Sequence, residues 1–177
     1  MVAAQPPEVS DDSDDREDPD DGDDARVLVA SLGGGWVAVG AESVEGVVRP
    51  APVTPVGGTP RWVAGVAAVR GAVRAVVDAR RLAGAAPDDG TAAWWVVVAH
   101  GGRSAAVAGL RVWRVARVGA DDATGPEPAP AVPGLPAGGV ARLAGDLGRG
   151  ADALPPAARR LDVAALLDLV HDPTHQP

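Results

Sequence analysis

The chain has no cysteine, lysine, phenylalanine, tyrosine, isoleucine or asparagine, and its one methionine is Met1. Without cysteine there are no disulfide frameworks, zinc–thiolate sites or thiol nucleophiles, which suits a reducing compartment. Without lysine there is neither a P-loop lysine nor a Schiff-base anchor. The candidates for nucleophile and acid shrink to five Ser, five Thr, three His and the carboxylates. There is no run of about 18 apolar residues to span a membrane. The N-terminus is acidic where a secretory signal would be basic and then apolar. The missing residue types share A/T-rich codons, as a GC-rich genome predicts; a salt-adapted acidic proteome is the other reading. Either way, Val, Leu, Ala and Trp fill positions where Ile, Phe or Tyr would otherwise stand.

The net charge of −8 is unevenly spread. Residues 1–24 hold eleven carboxylates against Arg16, a charge of about −10. The remaining 153 residues carry 13 carboxylates and 15 arginines. A segment so acidic and so poor in apolar surface is expected to stay disordered, as a solubilising tail or as an electrostatic arm for a basic surface. Its Asp spacing lacks the Asp/Gly/Glu order of an EF-hand loop. The expected organisation is an acidic tail over 1–24, one domain over 25–172 and a short tail over 173–177.

From Arg26 onward the texture is β. Residues 26–32 and 36–39 alternate loosely around Gly33-Gly34-Gly35, which offers the φ > 0 positions of a hairpin turn. A helical turn over 41–44 and a strand over 46–49 lead into a loop, 50–60, with four Pro and two Gly. Strands over 63–69 and 73–77 flank an Arg70-Gly71 corner. Asp78 is placed to cap a helix over 79–83 that Gly84 closes. The near-continuous apolar run 94–99 predicts a strand buried on both faces. Further strands are expected over 104–110, 111–118, 140–143 and 159–162, with loops over 119–136 and 145–156 and a terminal helix over 163–170. Nine or ten short strands with two or three short helices predict a mainly β fold of small barrels or a sandwich.

The run TPVGGTPRWVAGVAAVRGAVRAVVDARRLAG over 54–84, with GVARL at 139–143, resembles the CheW-like domain, the domain of the chemotaxis coupling protein CheW. The residues carrying the resemblance are Pro55, Pro60, Val63, Gly65, Val66, Arg70, Gly71, Val73, Val76, Val77, Asp78, Arg80, Leu82 and Gly84. Ala68, Ala75 and Ala79 stand where the pattern has Asn, Pro and Leu. A Glu common near the first helix–strand junction is displaced to Glu45, before Gly46. The resemblance implies two intertwined five-stranded, SH3-like barrels. It implies a cytoplasmic scaffold without catalysis, with a chemoreceptor's cytoplasmic tip and a CheA-type histidine kinase as partners. It also implies that the corner arginine touches the receptor and that an apolar face of the first barrel docks the kinase.

Arg70 is the leading candidate for partner binding, since a guanidinium at a rigid corner offers forked donors to a carboxylate or carbonyl. The alternative is a solvated turn arginine. Val44, Val47 and Val48 read as a docking patch or as barrel core, and Trp62 as an interface anchor or as core. Trp94 and Trp95 must face opposite sides of a strand. Gly65, Gly71, Asp78 and Arg80 read as structural, with Asp78 a cap and Arg80 a surface charge.

No catalytic residue, metal ligand or cofactor is expected. His171, Asp172 and His175 lack a third fixed ligand. His100 reads as a surface turn residue. No Gly-x-Ser-x-Gly elbow or Gly-x-Gly-x-x-Gly fingerprint is present. Arg111, Arg114 and Arg117, without interleaved aromatics beside a strongly acidic tail, make a poor nucleic-acid footprint. Two other readings compete with the chemotaxis adaptor. One is a CheW-like module of a different receptor–kinase system with the acidic tail as regulator. The other is an enzyme on a small barrel, which would need an acid/base set around His100.

Overall fold

The computed structural model describes residues 26–86, 94–119, 132–144, 148 and 153–171. The expected tails at 1–24 and 173–177, with Asp172 and His175, lie outside the described residues, as do parts of the three long loops.

Ten strands and two helices form in the order β1 (Arg26–Leu32), β2 (Gly35–Gly40), β3 (Val44–Val48), β4 (Val63–Val69), β5 (Ala72–Asp78), α1 (Ala79–Ala83), β6 (Trp95–His100), β7 (Arg103–Ala108), β8 (Arg111–Val118), β9 (Ala137–Ala144), β10 (Ala157–Leu161) and α2 (Val163–His171). A 3₁₀ turn, Ala41–Ser43, leads into β3. The strands make two five-stranded sheets. One is a closed barrel in the order β1-β2-β10-β9-β8; the other runs β3-β6-β7-β5-β4. The second sheet is inserted between β2 and β8 of the first, so the two are intertwined along the chain. Each contains one parallel pair, β2 with β10 and β5 with β7.

Local chemistry explains the tight connections. Leu32 pairs with Gly35, Val69 with Ala72 and His100 with Arg103, so three hairpins turn on two residues. All six turn residues have positive φ, the pattern of type I′ turns, whose twist matches that of the strands they join. Asp78 caps α1, its Oδ1 accepting from the N–H groups of Arg80 (3.0 Å) and Arg81 (3.2 Å). Gly84 ends that helix in the left-handed region at φ 62°. Arg80 is more than a surface charge. Half-buried, it donates from Nε to the carbonyl of Gly109 (3.2 Å) and so ties α1 to the turn before β8.

The core has three parts because central strands bury both faces. In β1, Val27 and Val29 point into the closed barrel with Ala38, Val118, Ala141 and Ala158. Leu28, Ala30 and Leu32 point the other way into a core shared with Val96, Val98, Val107 and with Leu166 and Leu167 of α2. In β6, Val96 and Val98 face this shared core, while Trp95 and Val97 join Ala67, Val69, Val76 and Ala106 on the opposite face. Helix α2 therefore seals the junction of the two sheets, and the Arg103–Asp168 ion pair (2.6 Å) holds it to β7.

Candidate functional site

Arg70 and Gly71 form the β4–β5 turn with φ of 51° and 79°. The other two turns of this kind are both Gly-Gly, at Gly33-Gly34 and Gly101-Gly102. Arg70 is the only non-glycine residue with positive φ among the described residues. An L-residue with a long side chain costs about 1 kcal/mol or more in this region, where Gly, Asp or Asn sits more easily.

The exposed Arg70 side chain reaches across the end of the second sheet. Its Nη1 donates to the backbone carbonyl of Glu45 at 2.6 Å. The register of β3 on β6 explains why that carbonyl is free. Val44 pairs with Val98 but Gly46 with Val97, which leaves Glu45 as the extra residue of a β-bulge. The Glu45 carboxylate turns to Arg74, with Oε2 2.7 Å from Nη2. Arg74 is nearly buried, its side chain 11% exposed, and its Nε and Nη1 find no partner among the described residues. A side chain on Gly46 would occupy the place of Arg70 Nη1, so the glycine leaves room for the arginine. Strands β3 and β4 end the hydrogen-bonded order of their sheet. The two arginines and Glu45 thus span the gap with side chains.

Val44 and Val47 pair with Val98 and Val96 and share one face of β3, whereas Val48 pairs with Trp95 on the other. Val44 packs on the shared core and Val48 on the opposite core, while Val47 is 37% exposed. The three valines are therefore not a single patch. Trp62 is half-buried against the shared core, and its carbonyl accepts from the Asp78 N–H at 2.8 Å. Trp95 is buried; Trp94 is 39% exposed, with the Arg49 guanidinium 4.8 Å from its ring centroid. Gly65, at φ 141°, lies against the backbone of Thr54 and Pro55, where Thr54 and Val66 form an isolated bridge.

Arg74 is the participant least visible in the sequence. The one available signal was a charged residue in the middle of the Val/Ala strand β5. His100 ends β6, exposed, opposite Arg103. No cluster of three or more His, Cys, Asp or Glu side chains suited to a metal occurs among the described residues. None of the described helices is long and apolar enough to cross a membrane.

No curated protein is similar enough to the chain to count as a relative. Among solved structures, the scaffolding protein TtCheW from Thermoanaerobacter tengcongensis is similar in fold. It has a TM-score of 0.61 and 18% sequence identity over 78% of this chain and 89% of that one. The family model of the CheW-like domain matches residues 26–170, from the first residue of β1 to within one residue of the end of α2. The chain belongs to the CheW-like domain family.

Proposed function

We propose that the chain is a non-catalytic adaptor that couples the cytoplasmic tip of membrane chemoreceptors, the methyl-accepting chemotaxis proteins, to a CheA-type histidine kinase. Membership of the CheW-like domain family supports this reading, and one structural observation carries it to a residue. Arg70 occupies a turn position that two sister turns give to glycine. Backbone strain of this kind persists where a side chain is needed for function. Here the side chain is a guanidinium held at the surface by one donor, with further N–H groups left to meet a receptor carboxylate or carbonyl.

The kinase would dock on the β3 side through the exposed Val47. Arg70 bonds to β3 itself, so the receptor corner and the kinase strand meet at Glu45. Holding both partners on one rigid body raises their effective concentration for each other. A signal passes only if the contacts at this junction differ in free energy between the active and inactive kinase.

Two substitutions separate binding from folding. Arg70→Asn removes the guanidinium and suits a positive φ; Arg70→Glu reverses the charge. Both are expected to weaken association with a receptor-tip fragment by about tenfold or more, the value of a charge-assisted hydrogen bond. Arg70→Asn is expected to melt within a few degrees of the wild-type temperature, because relief of the positive φ offsets loss of the bond to the Glu45 carbonyl. Unchanged receptor affinity in both variants would remove Arg70 from the interface. A clear fall in the melting temperature of Arg70→Asn would make Arg70 structural. Failure to bind any CheA-type kinase would favour a different receptor–kinase system.

A further inference from the structure

Glu45 stands between two arginines. Arg70 holds its backbone carbonyl at 2.6 Å, and Arg74 holds its carboxylate at 2.7 Å. Burial sets the two apart. Arg70 is exposed at its turn, whereas the Arg74 side chain is only 11% exposed. Arg74 pairs with Ala67 across the β4–β5 ladder and shares one face of β5 with Val76. Ala67 and Val76 both belong to the core of the second sheet. Arg74 thus puts a cation at the edge of that core, and its Nε and Nη1 are buried without a hydrogen-bond partner among the described residues. Unmatched buried donors are costly, and well-packed apolar residues often replace a buried ion pair with no loss of stability. Stability alone is therefore a poor account of an arginine at this place.

The carboxylate it holds supplies a better one. Glu45 is the extra residue of the β3 bulge, and its side chain is 39% exposed. That side chain turns about the same Cα whose carbonyl Arg70 already holds. Released from Arg74, the carboxylate would meet the Arg70 guanidinium, and a charged acceptor binds it more strongly than a neutral carbonyl does. Arg70 would then be occupied by its own chain. We infer that Arg74 is a positioning residue: it draws the Glu45 carboxylate to the edge of the second core and so leaves the Arg70 guanidinium open to a carboxylate from outside. The consequence for receptor binding rests on the reading of Arg70 as the receptor contact. The choice of partner by Glu45 does not.

NMR of the arginine side chains in the full-length chain reads that choice directly, because rotation of a guanidinium about its Nε–Cζ bond slows when a carboxylate grips it. In the wild-type chain this rotation is expected to be slow for Arg74 and fast for Arg70. In Arg74→Met it is expected to slow at Arg70, and in Arg74→Met/Glu45→Gln to become fast again. Affinity for a receptor-tip fragment is expected to follow the same order. Arg74→Met binds about two- to fivefold more weakly, as when an exposed ion pair occupies half or more of the Arg70 side chains, and the double variant recovers wild-type affinity. A merely structural Arg74 gives no such recovery, since Glu45→Gln restores no packing. Rotation at Arg70 as slow as at Arg74 in the wild-type chain, or unchanged at Arg70 by Arg74→Met, would overturn the inference. So would an affinity that Arg74→Met leaves intact, or a loss that Glu45→Gln does not reverse. Should Arg74→Met not fold, the wild-type comparison decides. Should the wild-type chain not bind the fragment, the reading of Arg70 falls, and the rotation measurements still decide the partner of Glu45.

Discussion

Replacing Gly65 by alanine is expected to lower the unfolding free energy by about 2–4 kcal/mol, the scale of a forced backbone conformation combined with a backbone clash. At φ 141° the residue is in a region that side chains rarely adopt. A Cβ there would meet the carbonyl of Thr54 and stand 2.9 Å from Pro55 Cα. These are backbone atoms and cannot swing aside. Moving them would break the reciprocal hydrogen bonds of Thr54 and Val66, at 2.8 and 2.9 Å, which hold the proline-rich loop against β4. Chemical denaturation of Gly65→Ala checks this. A loss below about 1 kcal/mol would mean that the loop is not pinned there.

Leu166→Ala should cost about 2–5 kcal/mol, the range for a fully buried leucine whose cavity cannot collapse. Leu166 is completely buried in the core to which β1, β2, β5, β6, β7, β10 and α2 all contribute. Because both sheets draw on that core, amide exchange in β1 and β6 should accelerate together. Acceleration in only one sheet would show that they fold as independent units. Val73→Ala, at a site 76% exposed, serves as the control and should change stability by less than about 0.5 kcal/mol.

Much of the fold is legible wherever the determining chemistry is local. Gly33-Gly34 and Gly101-Gly102 mark their turns, Asp78 and Gly84 bracket α1, and the apolar run of β6 announces a strand buried on both sides, whereas the loose alternation of β1 does not announce that its two faces are both buried. Most strand ends fall within two residues of the expected positions. Strand β9 begins three residues early, at Ala137, because Gly138 and Gly139 offer no side-chain pattern to read. Long-range choices leave no local period. The parallel pairings of β2 with β10 and β5 with β7 are fixed by the shared core, and no repeat in the sequence encodes them.

The candidate site divides in the same way. Arg70-Gly71 is readable as a corner, but the strain at Arg70 exists only in its dihedral angle. The displaced Glu45 becomes intelligible once the bulge is seen. The extra residue frees its carbonyl for Arg70 and turns its carboxylate to Arg74. Ala68 pairs with Val73 one step from the turn, so the corner is braced by the ladder and by the Arg70–Glu45 bond without an asparagine amide. Ala79, in place of leucine, is wholly buried where α1 meets the shared core.

The adaptor reading requires that receptor and kinase be held at once. The most direct measurement immobilises a receptor-tip fragment, saturates it with the full-length chain and then adds a CheA-type kinase. The account predicts that the kinase is captured only when the chain is present, and that it does not displace the chain from the receptor. Displacement of the chain by kinase, or capture of kinase to the same extent without the chain, would contradict it.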